Sequence, residues 1–389
     1  MIIRTEQIKQ VRHLIESHPV VGIIGARQVG KTTLAHQVAE QIAGGAAFFD
    51  LENPEDLARL SDPMLGLKGL KGLVVIDEIQ RLPGLFTVLR VLVDRSDNNA
   101  RFLILGSASP DLLRQSSESL AGRIIYHELF PFSLLEVGSQ EHRKLWLRGG
   151  FPRSFLARTL PLSDEWRKGF IRTFLERDIP QFGFNINATT LRRFLTMLAH
   201  YHGQLFNASE IGRSLGISHV TIRRYLDMLS AALVVRQLQP WFVNIAKRQI
   251  KAPKIYLADS GLLHSLLNIK TANELEGHPK VGASWEGFVI EQLVIQLGLD
   301  YSDCFFWGTY SGAELDLLFM RGQKRIGVEI KRTTTPHLTA SMHSTLETLK
   351  LTHLYVIHAG DHSFPLADQV HAVSFSHLLH EFDPTLFFI

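Results

Sequence analysis

The chain has 389 residues, 45% apolar and 20% charged, which allows two or three domains with substantial cores. A formal charge of +3 excludes a polycation, so any nucleic-acid contact has to come from local patches. The single cysteine, Cys304, excludes a disulfide framework and fits a reducing, cytoplasmic setting. The start "MIIRTEQIKQ" has no apolar signal-like run, and no stretch approaches the roughly 18 residues of a membrane span, so no membrane partner is expected.

The first predicted unit is a strand from Val20 to Ile24, a loop, and a helix with Leu34, Val38 and Ile42 on one stripe. The loop runs Gly25, Ala26, Arg27, Gln28, Val29, Gly30, Lys31, Thr32, Thr33 and has the spacing G-x-x-x-x-G-K-[ST]. Glycines let the backbone curl so that its N–H groups face a phosphate, and the helix start adds a favourable dipole. Lys31 is expected on the β- and γ-phosphates of ATP, and Thr32 on Mg²⁺.

The apolar run Leu73 to Ile76 predicts a central parallel strand. It ends in Asp77, expected to hold Mg²⁺ through water, and Glu78, expected to orient and activate the attacking water. "RFLILGSASPDLL" predicts the next strand. Ser107 at its end either senses the γ-phosphate or caps a following helix. Arg114 and Arg123 are candidate arginine fingers. Arg123, after a glycine and before an apolar stretch, is preferred. A finger acting in trans would place ATP at the interfaces of a homo-oligomer, a dimer or a ring.

Pro161 to Arg177 reads as helical linker. Leu191, Leu195 and Leu198 then form one stripe. Asn207 or Ser209 starts a short helix with Ile211 and Leu215, Gly216 ends it, Ile217 is buried, and Ser218 caps a third helix. That helix is expected to turn Val220, Tyr225, Leu226 and Leu229 inward. Helix, glycine turn, helix is the signature of a helix-turn-helix. His219, Thr221, Arg223 and Arg224 are its expected DNA-binding groups. From Arg236 to Lys254 there follow five basic residues (Arg236, Lys247, Arg248, Lys251, Lys254) and no acidic one, a pattern that reads as a wing on DNA phosphates. A purely structural role for such a module is the alternative.

Trp285 to Leu297 predicts an amphipathic helix with Phe288, Leu293 and Leu297 inward and Glu286 near its start. "AELDLLFMRGQKRIGVEIK" predicts a hairpin turning at Gly322 and Gln323, glycine first as a type II′ turn prefers. That turn sets Asp316 opposite Glu329 and Glu314 opposite Lys331. Opposed side chains lie roughly 4.5–5.5 Å apart at Cβ, where two carboxylates repel unless a cation lies between them. Asp316 and Glu329 are therefore expected to hold Mg²⁺; Glu286 either adds a ligand or orients Lys331 from the helix, and Lys331 either polarises the attacking water or stabilises developing phosphate charge. This is a D-…-E-x-K constellation. A plain hairpin with surface charges is the alternative. His343, His353, His358 and His362 match no metal-ligand template and read as scattered surface or packing residues.

The motifs "GARQVGKTTL", "VVIDEIQRLPGLF", "LILGSASPDLL", "SESLAGR", "ELFPFSLLE", "LRGGFP", "FLERDI", "KAPKIYLADSGLL", "WEGFVIEQL" and "GAELDLLF" with "VEIK" cover nearly the whole chain. Together they resemble the bacterial and archaeal AAA-type (AAA 14) ATPases that carry a C-terminal domain of unknown function 4143. The resemblance implies an α/β fold in three parts. These are a P-loop AAA-like parallel-sheet ATPase domain (1–150), a helical linker and winged helix (151–270), and a restriction-endonuclease-like domain similar to PD-(D/E)XK nucleases (271–389). Ala26 departs from the family, where proline is common; alanine leaves the loop unobstructed. The expected function is an ATP-hydrolysing protein that binds and processes DNA, with branched DNA or recombination and repair intermediates as fitting substrates and metal-dependent cleavage as a further expectation. The alternative is a nucleotide-dependent switch or scaffold with a silent nuclease-like domain.

Overall fold

The structure, a computed structural model, describes residues 2–42, 44–97, 99–107, 119–181, 186–242, 250–310 and 312–381. It divides into two compact units: Met1–Pro131 together with Asp227–Leu233, and Phe132–Leu226 together with Val234–Ile389.

In the first unit the strands are β1 (Val20–Gly25), β2 (Ala46–Asp50), β3 (Gly72–Asp77), β4 (Ala100–Ser107) and β5 (Ile124–Glu128). All pairs are parallel, in the order β2-β3-β4-β1-β5. Both faces are apolar, as a parallel sheet covered on both sides requires. Leu73 and Val75 of β3 face α1 (Thr5–Ser17) and α2 (Lys31–Ala39), while Val74 and Ile76 face α3 (Leu85–Val93). β4 lies between β1 and β3, so Gly25, Ser107 and Asp77 finish on one edge, where ligands of open α/β sheets bind.

The second unit begins its recognisable pattern with α4 (Ala188–His200), β6 (Gln204–Leu205), α5 (Ala208–Leu215) and the first part of α6 (His219–Ala231), whose residues from Asp227 on count with the first unit. Strands β7 (Val235–Pro240) and β8 (Lys254–Leu257) pair antiparallel, and β6 joins β8. After α7 (Val281–Leu297) come β9 (Cys304–Gly308), β10 (Glu314–Arg321), β11 (Lys324–Lys331), β12 (His353–His358), β13 (Phe364–Ala367) and β14 (Val370–Ser374). These strands form one sheet in the order β13-β14-β12-β11-β10-β9-β7-β8-β6. The expected border at 270/271 therefore does not interrupt the sheet: β7 pairs in parallel with β9 through Gln239–Phe305 and Pro240–Phe306.

The hairpin register is the one the Gly322–Gln323 turn dictates. Arg321 pairs with Lys324 and Leu317 with Val328, and Gly322 has φ +57°. α7 differs from expectation. Twelve of its seventeen residues are buried, from Ser284 to Leu297, so it is a helix buried on nearly all sides rather than an amphipathic one.

Candidate functional site

The phosphate loop is held open by two left-handed residues, Gln28 at φ +61° and Gly30 at φ +102°, the latter opening α2. Gly25 admits no side chain, because a Cβ there would lie 2.6 Å from the Leu129 carbonyl oxygen. Ala26 and Val29 are buried, Arg27 is half-buried, and Gln28, Thr32 and Thr33 are exposed. Lys31, 7% exposed, donates to the carbonyls of Gly25 and Ala26, each at 3.1 Å. Thr32 Oγ1 donates to Asp77 Oδ2 at 2.5 Å, so the two expected Mg²⁺ ligands already meet.

Glu78 follows Asp77 in a left-handed turn, φ +54°, a conformation that costs a non-glycine residue roughly 1–3 kcal/mol and commonly marks functional sites. The turn sends the Glu78 N–H to Asp77 Oδ1 at 2.8 Å, and the Glu78 carboxylate accepts from Gln80 Nε2. Burial raises the Glu78 pKa against the lowering influence of Lys31, with Asp77 and Glu52 adding to the rise. A carboxylate of raised pKa is a better proton acceptor for water. Ser107 ends β4 opposite Gly25 in the ladder.

Sequence reasoning missed Arg4. It is 4% exposed and donates to Val29 O at 3.2 Å and Phe130 O at 2.8 Å, bracing the loop from the start of α1. No local pattern announces such a brace. Arg123, the preferred finger, makes a two-pronged pair with Asp94, Nε–Oδ1 2.7 Å and Nη2–Oδ2 2.8 Å. To reach another nucleotide it would have to leave that partner. Arg114 lies outside the described residues.

In the second unit, Asn207 caps α5 and Ser218 Oγ accepts the Thr221 N–H at 3.2 Å. Gly212 lets α5 approach the turn; a Cβ there would stand 2.5 Å from Ile217 O. His219, Arg223 and Arg224 are exposed and Thr221 is half-buried. Val220 is a correction. It is 57% exposed, and Ile222, fully buried, fills the inward place, because 222, 226 and 229 share the helical stripe.

The wing is corrected too. Lys247 and Arg248 lie outside the described residues, and Lys251 is exposed. Arg236 is buried, 3.5 Å from Glu291 and stacked 4.5 Å over the Tyr301 ring. Lys254 is buried as well. Both stand on strands that continue into the C-terminal sheet, so their side chains serve that interior and not a basic surface.

The carboxylates do converge. The Asp316 carboxylate accepts the Ile330 N–H at 2.8 Å, beside Glu329. Lys331 Nζ lies 2.6 Å from Glu329 Oε1. Glu286 on α7 accepts from Tyr256 O–H at 2.5 Å and from Lys254 Nζ at 3.1 Å. Lys254 also meets Asp316 at 3.6 Å and pairs with Glu314. Lys254 and Tyr256 are two apart on β8 and so share a face. A lysine and a tyrosine alternating with Ile255 and Leu257 were the overlooked signal.

Burial, and then Asp316, raises the carboxyl pKa of both Glu286 and Glu329. For Lys254 burial alone would lower the pKa; Tyr256, Glu286, Asp316 and Glu314 outweigh it and keep the amine charged. Among the described residues no group of three or more His, Cys, Asp or Glu side chains is disposed to hold a metal ion. The Mg²⁺ expected between Glu286, Asp316 and Glu329 does not fit these side chains, because the Lys254 ammonium stands between Glu286 and Asp316 and the Lys331 ammonium pairs with Glu329. Among the same residues no helix is long and apolar enough to cross a membrane.

Residues 17–138 match an AAA domain, 139–273 a domain of unknown function (DUF8612), and 281–378 another domain of unknown function (DUF4143). The chain is 52% identical over 379 residues to the uncharacterized proteins Rv2008c of Mycobacterium tuberculosis and Mb2031c of Mycobacterium bovis, covering 97% of this chain and 85% of each relative. The chain belongs to the family of these mycobacterial proteins. Among solved structures it is similar to the Walker-type ATPase PABY2304 of Pyrococcus abyssi. The identity is 16% and the TM-score 0.50, over 69% of this chain and 96% of that one, a likeness of fold. Residues 17–138 of the chain thus form an AAA P-loop ATPase domain, which supports ATP hydrolysis there.

Proposed function

We propose that this protein hydrolyses ATP with Mg²⁺ at the β1–α2 loop and couples that cycle to DNA held by the α5–α6 helix-turn-helix. The observation that carries the first part is the meeting of Thr32 with Asp77 beside Lys31. Lys31 would bind the β- and γ-phosphates, and Thr32 and Asp77 would hold Mg²⁺, which neutralises charge on the phosphate oxygens. Glu78 would orient water in line with the γ-phosphorus and take its proton as the bond to ADP breaks. Arg4 keeps the loop in shape.

The DNA part rests on the order helix, short strand, helix, glycine turn, helix, two strands, with His219, Arg223 and Arg224 exposed on α6. Lys251 is a further phosphate contact, and Lys247 and Arg248 belong to the same reading. Contacts of this kind position the protein on phosphates without specifying sequence.

A panel of single-stranded, duplex, forked and four-way DNA, scored for binding and for ATPase stimulation, tests the coupling. Binding that falls with salt, and whose salt slope drops by about 1 for Arg223→Ala, is the expected result. No band shift at low salt and no change of ATPase rate with any DNA would favour the second reading, a nucleotide-dependent switch acting on proteins. The observation favouring that reading is the Lys254 ammonium among the carboxylates, which leaves no metal-assisted cleavage to derive there. A role for Arg123 in a dimer or ring predicts assembly with ATP in sedimentation; a monomer under every nucleotide condition removes it.

A further inference from the structure

We propose that Lys254 is the built-in cation of the carboxylate cluster, standing permanently where a divalent ion would otherwise be gathered. Its Nζ reaches carboxylates from two elements: Glu286 on α7 at 3.1 Å, Asp316 on β10 at 3.6 Å, and Glu314 beside it. Its side chain is 6% exposed and lies 5.6 Å from the centre of the Phe306 ring, so it is no surface lysine turned in from solvent. Its backbone is fixed as well, paired with Leu238 of β7 and Leu205 of β6.

The remaining carboxylate, Glu329, has its own ammonium partner in Lys331 at 2.6 Å. Hard divalent ions take oxygen ligands. An ammonium in that shell brings no lone pair and a like charge, so it excludes the ion twice over. The cluster then serves as a polar joint: it ties β8, the second strand after the helix-turn-helix, to α7 and β10.

The test uses Mn²⁺ as probe, followed by its paramagnetic resonance in nucleotide-free full-length protein. Wild type and Asp316→Asn should bind Mn²⁺ equally. Lys254→Met should gain one site at least about tenfold tighter than any in wild type, once the like charge is removed. Lys254→Met/Asp316→Asn should lose that site, and Lys254→Arg, which keeps the charge, should gain none. A wild-type site abolished by Asp316→Asn would overturn the proposal, as would a folded Lys254→Met that gains nothing. Should Lys254→Met fail to fold, the wild type against Asp316→Asn decides: equal binding supports the built-in cation and unequal binding overturns it.

Discussion

Two buried lysines stand in the two units and do opposite work. Lys31, 7% exposed, closes a loop of backbone dipoles and donates to two carbonyls of that loop. Lys254, 4% exposed, meets three carboxylates drawn from two elements, α7 and β10. A carbonyl is a modest partner that a phosphate can replace, whereas a carboxylate is a strong one. The first lysine is therefore arranged to change partners and the second to keep them. Burial of a charged side chain does not by itself mark function; the exchangeability of its partners does.

The largest expected effect lies at Lys31. Lys31→Ala and Glu78→Gln should each lower ATP turnover by about a hundredfold or more, measured as phosphate release, because both act on charge that develops in the transition state. Both should remain folded. Wild-type rates in either would undo the assignment of the site and with it one side of the comparison. Lys254→Ala should act the other way. Removing one partner of a buried ionic group costs about 3–5 kcal/mol, read as a large drop in the melting temperature of the second unit. A loss below about 1 kcal/mol would mean the carboxylates are satisfied without it.

The same contrast explains what was legible in the sequence. The phosphate loop is contiguous, and its chemistry follows from spacing, so strand, loop, helix and the acidic end of β3 were all readable. The β10–β11 register was readable too, because a two-residue turn fixes every pair beyond it. The Lys254 site was not, since its members lie on β8, α7 and β10 and meet only when β7 joins β9. A run of five basic residues looked like a solvated wing; strand alternation sent two of them inward. α7 misled in a related way. An amphipathic helix was expected, yet Glu286 and Glu291 are both met by partners inside the fold. The Val220 reading failed by two residues at the start of α6, where one turn holds both Val220 and Ile222.

A smaller effect, again in the second unit, comes from buried histidines. Trp146 Nε1–H donates to Ser284 Oγ at 3.0 Å, Ser284 lies 2.7 Å from His264 Nε2, and His264 Nδ1 lies 3.0 Å from Leu147 O. Such a relay suits the neutral ring with its proton on Nδ1. Burial pushes His264 down to about 4 and His202 down to about 3. In the unfolded chain both protonate near pH 6.5. Stability is therefore whole above that value and lost as pH falls toward the folded values. The slope is up to about 1.4 kcal/mol per pH unit for each histidine. Thermal melts between neutral pH and pH 5 should show the loss, and His264→Gln should flatten it. A curve unchanged by that substitution would show that His264 is not kept neutral.

The smallest effect is expected at Val220, and it speaks to which surface of α6 is free. Val220 is 57% exposed beside His219, whereas Ile222 is fully buried two residues on. Val220→Lys should change stability by no more than about 0.5 kcal/mol, as substitutions at exposed positions do. On DNA it should steepen the salt dependence by about 1, because one more phosphate is neutralised. Melting and binding thus report separately. A fall of several degrees would mean that Val220 is packed away in solution and that α6 does not present this face. An unchanged melt with an unchanged salt slope would leave Val220 exposed but off the DNA, and would confine the contact made by this helix to Arg223 and Arg224.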